Sequence, residues 1–373
     1  MALGNPETHI LEKAHVFCYR LFDIAEEIDL DMAQSLLALD ARRVHLTRPG
    51  AKYLLLPNPP LAVDMGRRTL RVASGPLVVE VVSRLFDHGS VSIRLRVPIE
   101  PGTHATALLP LAHELYDSPA VDALALEVLE SLRPGIAAAL RSGGEVWDQS
   151  ESYAVHFVER IQGSPTAAEV LAWPELAPLL LGETREPNLS ERERSDVTAQ
   201  HFSYGEHDLV VVDWNAAFVY EPTGSTDIPD ILEICNGQLL EFRYYDNQLD
   251  QQLAGVGDTL RRTRRRGFPL LGIADAPLAR RVQLTLIEMS EALERVENSL
   301  KVIGDFYLAK IYEAALEQLR VDAWKASVQR KQQTLGDVYQ WLKGEVDTAR
   351  SLTLEVMIVA LIVVEVVLAF LRH

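Results

Sequence analysis

Twenty residues near the end of the chain, LTLEVMIVALIVVEVVLAFL from Leu352 to Leu371, are apolar except for Thr353, Glu355 and Glu365. At about 1.5 Å of rise per residue, a helix of that length matches a hydrocarbon core of about 30 Å. A buried core helix is the alternative, yet a core is served by roughly 10–14 apolar residues. The run predicts one membrane-spanning helix over 352–371. With only Arg372 and His373 after it, the expected arrangement is a tail anchor.

The two glutamates are the polar exceptions. Glu355 lies about one turn inside the span and can reach headgroups, whereas Glu365 lies deeper, where a carboxylate costs several kcal/mol unless protonated or paired. Ten residues apart on a helix, they point about 80° apart and form no single stripe. The simpler reading is a protonated side chain hydrogen-bonded to a neighbouring anchor helix. A proton path would need more polar positions than one helix offers.

Upstream, strand-like runs dominate. Val16 to Phe22 is β-rich, and Asp29 caps a helix expected through Leu39. Short strands are expected at Tyr53–Leu56 and Leu70–Ala73, then a hairpin of Leu77–Phe86 and Val91–Val97 around Asp87-His88-Gly89. Helices over His104–Leu115 and Val121–Leu140, a strand over Tyr153–Ile161 and a helix over Ala167–Leu181 follow. GETREPNLSERERS, from Gly182 to Ser195, has linker composition. A second hairpin pairs Leu209–Val212 with Ala216–Tyr220. Strands with intervening helices indicate an α+β fold, with a ferredoxin-like unit among the candidates and the strand order open.

From Asp227 onward the period changes. Leu232, Cys235, Leu239, Phe242, Asp246, Leu249 and Leu253 step by three and four, as do Val282, Leu286, Met289, Leu293, Val296, Leu300 and Ile303. Val328, Leu335, Val338 and Leu342 continue less cleanly. A repeat of about 3.5 residues is the seam of a coiled coil or long antiparallel bundle, which an ordinary helix bundle also produces. Asp246 is a polar break of the kind that sets register. The expected organisation is an α+β head over 1–181, a polar linker over 182–196, a second β-hairpin region over 197–225, a helical stalk over 226–350 and the spanning helix.

Between the first two heptad segments lie Arg261, Arg262, Arg264, Arg265 and Arg266, in a chain whose net charge is −17. That acidity argues against broad nucleic-acid binding. A solvated loop accounts for the arginines most simply. Anionic lipid is the next candidate, at about 1 kcal/mol per basic residue near the surface, and RNA phosphate the third, since no aromatic pattern accompanies them.

Catalytic constellations are missing. His113-Glu114-Leu115-Tyr116-Asp117 begins like a zinc-binding HExxH helix but puts aspartate where the second histidine must stand, which suggests a surface turn. There is no Walker loop, GxGxxG or GxSxG, and His201 and His207 have no cysteine partner. Two cysteines, Cys18 and Cys235, give neither a disulfide framework nor metal spacing. No catalytic residue, cofactor or metal is expected. MALGNPETHILEKAH has no apolar core, no cleavage-type site and little arginine, so the soluble part is expected in the cytoplasm.

Asp305-Phe306-Tyr307, the helix Val328–Glu345 and LEVMIVALIVVEV (Leu354–Val366) resemble the DUF155 family, in which a Leu-Glu pair opens a terminal apolar helix and a second glutamate follows ten residues later. Here these are Leu354-Glu355 and Glu365. More loosely, Phe86-Asp87-His88-Gly89-Ser90-Val91 resembles the family's strand entry, and Asp208–Leu249 its strand and long helix. The resemblance implies a membrane-anchored, homo-oligomeric protein without known catalytic residues, and without a presequence it points to a bacterial inner membrane. The expected function is an oligomeric membrane scaffold with the lipid bilayer and further copies of itself as partners. The alternatives are a tether for ribosomes or RNA and an enzyme housed in the α+β head.

Overall fold

The computed structural model describes residues 9–37, 41–44, 54–55, 57–142, 146–183, 189–265, 276–299, 301–302 and 305–371. The chain opens with β1 (Ile10–Asp23), β2 (Glu27–Ile28), α1 (Leu30–Leu37), β3 (Ala41–Arg43), β4 (Leu54–Leu55), β5 (Leu61–Val72), β6 (Gly75–Leu85), β7 (Ser90–Ile99) and β8 (Thr103–His104). It continues with α2 (Leu108–Leu115), α3 (Pro119–Ile136), β9 (Leu140–Arg141), β10 (Ser150–Ile161), α4 (Ala167–Leu171), α5 (Leu176–Leu181) and α6 (Glu191–Val197). Then come β11 (His201–Phe202), β12 (Leu209–Val212), β13 (Ala216–Tyr220), α7 (Asp227–Arg265), α8 (Ala276–Asn298), β14 (Lys301–Val302), α9 (Phe306–Gln318) and α10 (Val321–Leu371). Contacts divide this chain into two compact units, 1–241 with 295–322, and 242–294 with 323–373.

The first unit is built on a ten-stranded sheet in the order β11-β12-β13-β10-β1-β7-β6-β5-β3, with β8 paired to β1. Its four central strands, β10-β1-β7-β6, are antiparallel to one another. With α1 after the first of them in sequence and α3 before the last, this is the ferredoxin-like order, last-first-third-second. β5 and β3 extend it at one edge. At the other, β13 joins β10 in parallel and carries β12 and β11 with it.

β1 explains why its sequence does not alternate cleanly. Ala14 to Ala25 are all buried, because both faces of the strand are covered. Val16 and Cys18 join an aliphatic core with Val79, Val81, Ile93, Leu95, Val121, Val128 and Leu129, on the face that α3 covers. Phe17, Tyr19 and Leu21 face the other way, where Gly237 of α7 packs near Leu21 and His88. The β6–β7 turn requires its glycine: Gly89 has φ +109°, and a Cβ there would fall 1.7 Å from the Ala25 carbonyl oxygen.

Several boundaries differ from the sequence reading for local reasons. The helix expected over Ala167–Leu181 is two helices, separated around Pro174. Part of the expected polar linker is α6, started by Ser190, whose Oγ accepts from the Glu193 amide at 3.1 Å. Residues 184–188 of that linker, Ala38 to Asp40, and Tyr53 and Leu56 of the expected short strand lie outside the described residues.

In the second unit the second half of α7 runs parallel to α10. Arg243 lies over Trp324, Ser327 donates to Asp246, and Lys331 pairs with Asp250, each pair 81 residues apart. Val328, Leu335, Leu342 and Ala349 of α10 are buried at every seventh position. On α8, Val282, Met289 and Leu293 are buried as the period predicts. Leu300 and Ile303 lie outside the described residues.

Candidate functional site

Strand register assembles a concentration of polar chemistry on one face of the sheet. Arg67 of β5 pairs with Glu80 of β6, Glu80 with Arg96 of β7, and Arg96 with Phe17 of β1. Because residues opposite one another share a face, these four side chains form a row across the sheet on the side away from α3. Glu80 accepts from Arg67 Nη2 at 3.1 Å through one oxygen and from Arg96 Nη1 at 3.3 Å through the other. Two residue pairs along, on the same face, Arg94 lies 5.0 Å over the Phe17 ring, and its Nη1 is 3.2 Å from Asp230 of α7. On β1 and β10, Lys13 forms an ion pair with Glu159, whose other oxygen is 3.9 Å from His15 Nδ1.

These residues line a cavity of about 590 Å³, within the roughly 300–1,000 Å³ of small-molecule sites. Its rim is wet, with the Arg67 side chain 74% exposed, and its floor dry, with His15 at 4%. Burial, reinforced by Arg96, Arg94 and Lys13, drives the His15 pKa down to about 3, so the ring is neutral at neutral pH. Its Nε2 has no hydrogen-bond partner.

Behind the cavity, Arg84 bridges Asp230 and Glu233, each at 2.7 Å. With Arg94 this makes two guanidinium groups against two carboxylates, a buried network that fixes the start of α7 to the sheet. The cysteines offer no nucleophile: burial pushes the Cys18 thiol up to about 12 and raises that of Cys235 as well. Among the described residues no three metal-ligating side chains converge.

The residues singled out from the sequence lie elsewhere. Glu355 and Glu365 are exposed on α10, amid the exposed Leu354, Val356, Ile358, Leu361, Val364 and Leu368. Arg261 is exposed near the end of α7 with Asp258 at 3.9 Å; Arg262, Arg264 and Arg265 complete that helix, and Arg266 is outside the described residues. His113 and Glu114 close α2 rather than forming a surface turn: the His113 ring donates to the Gly182 carbonyl at 2.8 Å, and Glu114 accepts from Ser74 Oγ at 2.6 Å. His201 and His207 bond to the carbonyls of Thr198 and Pro165.

The cavity residues escaped motif reasoning because they are spread over six strands. Their signal was subtler: charges at alternate positions, Lys13 and His15 or Arg94 and Arg96, inside runs whose other face is aliphatic.

Residues 13–226 match the family described as uncharacterized protein MJ0711, N-terminal domain. The chain belongs to that family. The uncharacterized protein MJ0711 of Methanocaldococcus jannaschii is 25% identical over 176 residues, which are 47% of this chain and 53% of the relative. The chain thus spans about half the length of that relative. No solved structure matches. The MJ0711 N-terminal segment contains every residue that lines the cavity, from Lys13 to Thr226. The arginine run and the apolar helix lie outside it.

Proposed function

We propose that this MJ0711-family chain is a membrane-anchored, self-associating scaffold whose anchor is the last twenty residues of α10. The observation that carries this reading is the change of character along one helix. Through Ala349, α10 buries a residue at each seventh position; from Leu354 to Leu368 its apolar side chains are exposed all round. Among the described residues, one helix is long and apolar enough to cross a membrane. The likeness of Leu354–Val366 to the DUF155 family supports the same role, with the soluble part on the cytoplasmic side.

The parallel register of α7 and α10 adds a second support. Extending the 81-residue offset puts Arg261 level with Leu342 and Arg265 level with Val346. At about 1.5 Å per residue these arginines come roughly 9–15 Å short of the apolar run, the height of anionic headgroups when that run spans a bilayer. Lipid phosphate is therefore the favoured partner of the run, ahead of RNA.

Deleting Leu352–His373 tests the anchor: the truncated chain should move to the soluble fraction. Continued sedimentation with membranes after a high-salt wash sinks the reading.

A further inference from the structure

The sheet cavity plays no part in anchoring, and its composition points to a ligand. Five basic side chains line it against three carboxylates, in a chain that is otherwise strongly acidic. Arg67 and Arg96 share one carboxylate, so each guanidinium fork has N–H donors to spare. Arg94 is oriented from behind by Asp230 and from the side by Phe17, which fixes its direction at little entropic cost.

His15 supplies the second, independent observation. It is buried on the cavity wall with Nε2 unpartnered, whereas buried polar atoms normally find a partner. Glu159 stands on the Nδ1 side of the ring, and its charge favours the proton there. Nε2 then offers a lone pair to a donor brought by the ligand.

We propose that this cavity binds a small hydroxylated phosphomonoester, with the phosphate on Arg67, Arg96 and Lys13 and a hydroxyl or P–OH donating to His15 Nε2. A phosphomonoester carries about −1.5 to −2 charges at pH 7, which suits a wall on which cations outnumber carboxylates. Guanidinium forks take phosphate oxygens in pairs, and a phosphomonoester brings more negative charge than a lone carboxylate. The volume leaves room for an organic remainder, and the mostly polar wall suits a hydrophilic one. The proposal stands whether or not the apolar helix enters a bilayer. A free metabolite and a lipid headgroup present the same chemistry, and the probes below separate them.

The test is calorimetric titration of the full-length chain in dodecyl maltoside micelles with glycerol 3-phosphate, dioctanoyl phosphatidic acid, inorganic phosphate and acetate. Saturable binding of one of the two esters, at least tenfold tighter than acetate, is expected. Glycerol 3-phosphate alone identifies a soluble ligand, and phosphatidic acid alone a headgroup. Arg96→Gln and Arg67→Gln should each weaken binding at least tenfold. Arg67 sits on the wet rim, so its replacement leaves the fold intact and keeps the test decisive even if Arg96→Gln misfolds. His15→Phe should bring the ester's affinity down to that of inorganic phosphate. No saturable binding of either ester, or unchanged affinity in the folded Arg67 variant, overturns the proposal.

Discussion

His156 shows how much a single buried side chain can write into the pH dependence of the fold. It sits on β10, facing the aliphatic core, and burial lowers its pKa to about 4 against a pull upward from the backbone at Leu179. The unfolded chain takes up a proton near pH 6.5 that the folded chain refuses until about pH 4. Stability therefore falls as pH drops through that window, by on the order of 3 kcal/mol from this residue. His15 adds a similar loss reaching down to about pH 3. Asp23 and Glu241 act in the opposite sense, since burial raises both and the folded state holds their protons more tightly. Comparing a variant with the wild type cancels those other groups. His156→Phe should narrow the stability difference between pH 7 and pH 4.5, followed by tryptophan emission in denaturant. An unchanged difference would mean that His156 is not neutral in the fold. None of this was legible in the sequence, where a histidine in YAVHFVE looks the same whether its face is wet or dry. Burial belongs to the sheet register, and the register was what the sequence left open.

At the scale of elements the sequence was more informative. Hairpin β6–β7 was readable because Asp87-His88-Gly89 is turn chemistry between β-branched runs, and Gly89 is required by its positive φ. The seam positions Val328, Leu335 and Leu342 were readable because one buried face leaves a period in the sequence. Parallel pairing of α7 with α10 was not, since connection length and period say nothing about direction when other helices intervene. Asp246 marks that pairing. It accepts from Ser327 Oγ at 2.7 Å and from Lys331 Nζ at 2.9 Å, and Lys331 also reaches Asp250 at 2.7 Å. Lys331→Met should destabilise this helix pair by about 1–3 kcal/mol, because it leaves a largely buried carboxylate with one hydroxyl. Asp246→Leu combined with Lys331→Met should recover most of that loss, as apolar replacement of both members of a shielded pair usually does. Thermal melting of the four proteins gives the coupling. Additive single-variant effects would reduce the contact to a surface decoration.

For the whole molecule, the proposed spanning of a bilayer by the apolar run raises the question of what is gained from a glutamate well inside it. Alone in hydrocarbon, Glu365 opposes insertion by several kcal/mol unless protonated or paired. Side by side with the same helix of another copy, a protonated Glu365 donates a hydrogen bond and the penalty falls. Intramembrane hydrogen bonds contribute about 0.6–2 kcal/mol each, enough to bias an equilibrium between copies already concentrated in a bilayer, but too little to hold an assembly alone. Glu365→Leu should therefore lower the oligomer size in mild detergent, by light scattering or native mass spectrometry, while leaving membrane insertion intact or slightly improved. Glu365→Gln should be milder, because an amide still donates and accepts. Glu355, near the start of the apolar run, is within reach of water, so Glu355→Leu should change neither property much. A wild-type chain that stays monomeric over its working concentrations would end the scaffold reading. An oligomer indifferent to Glu365→Leu would move the association out of the membrane and leave that glutamate to be explained by something other than self-pairing.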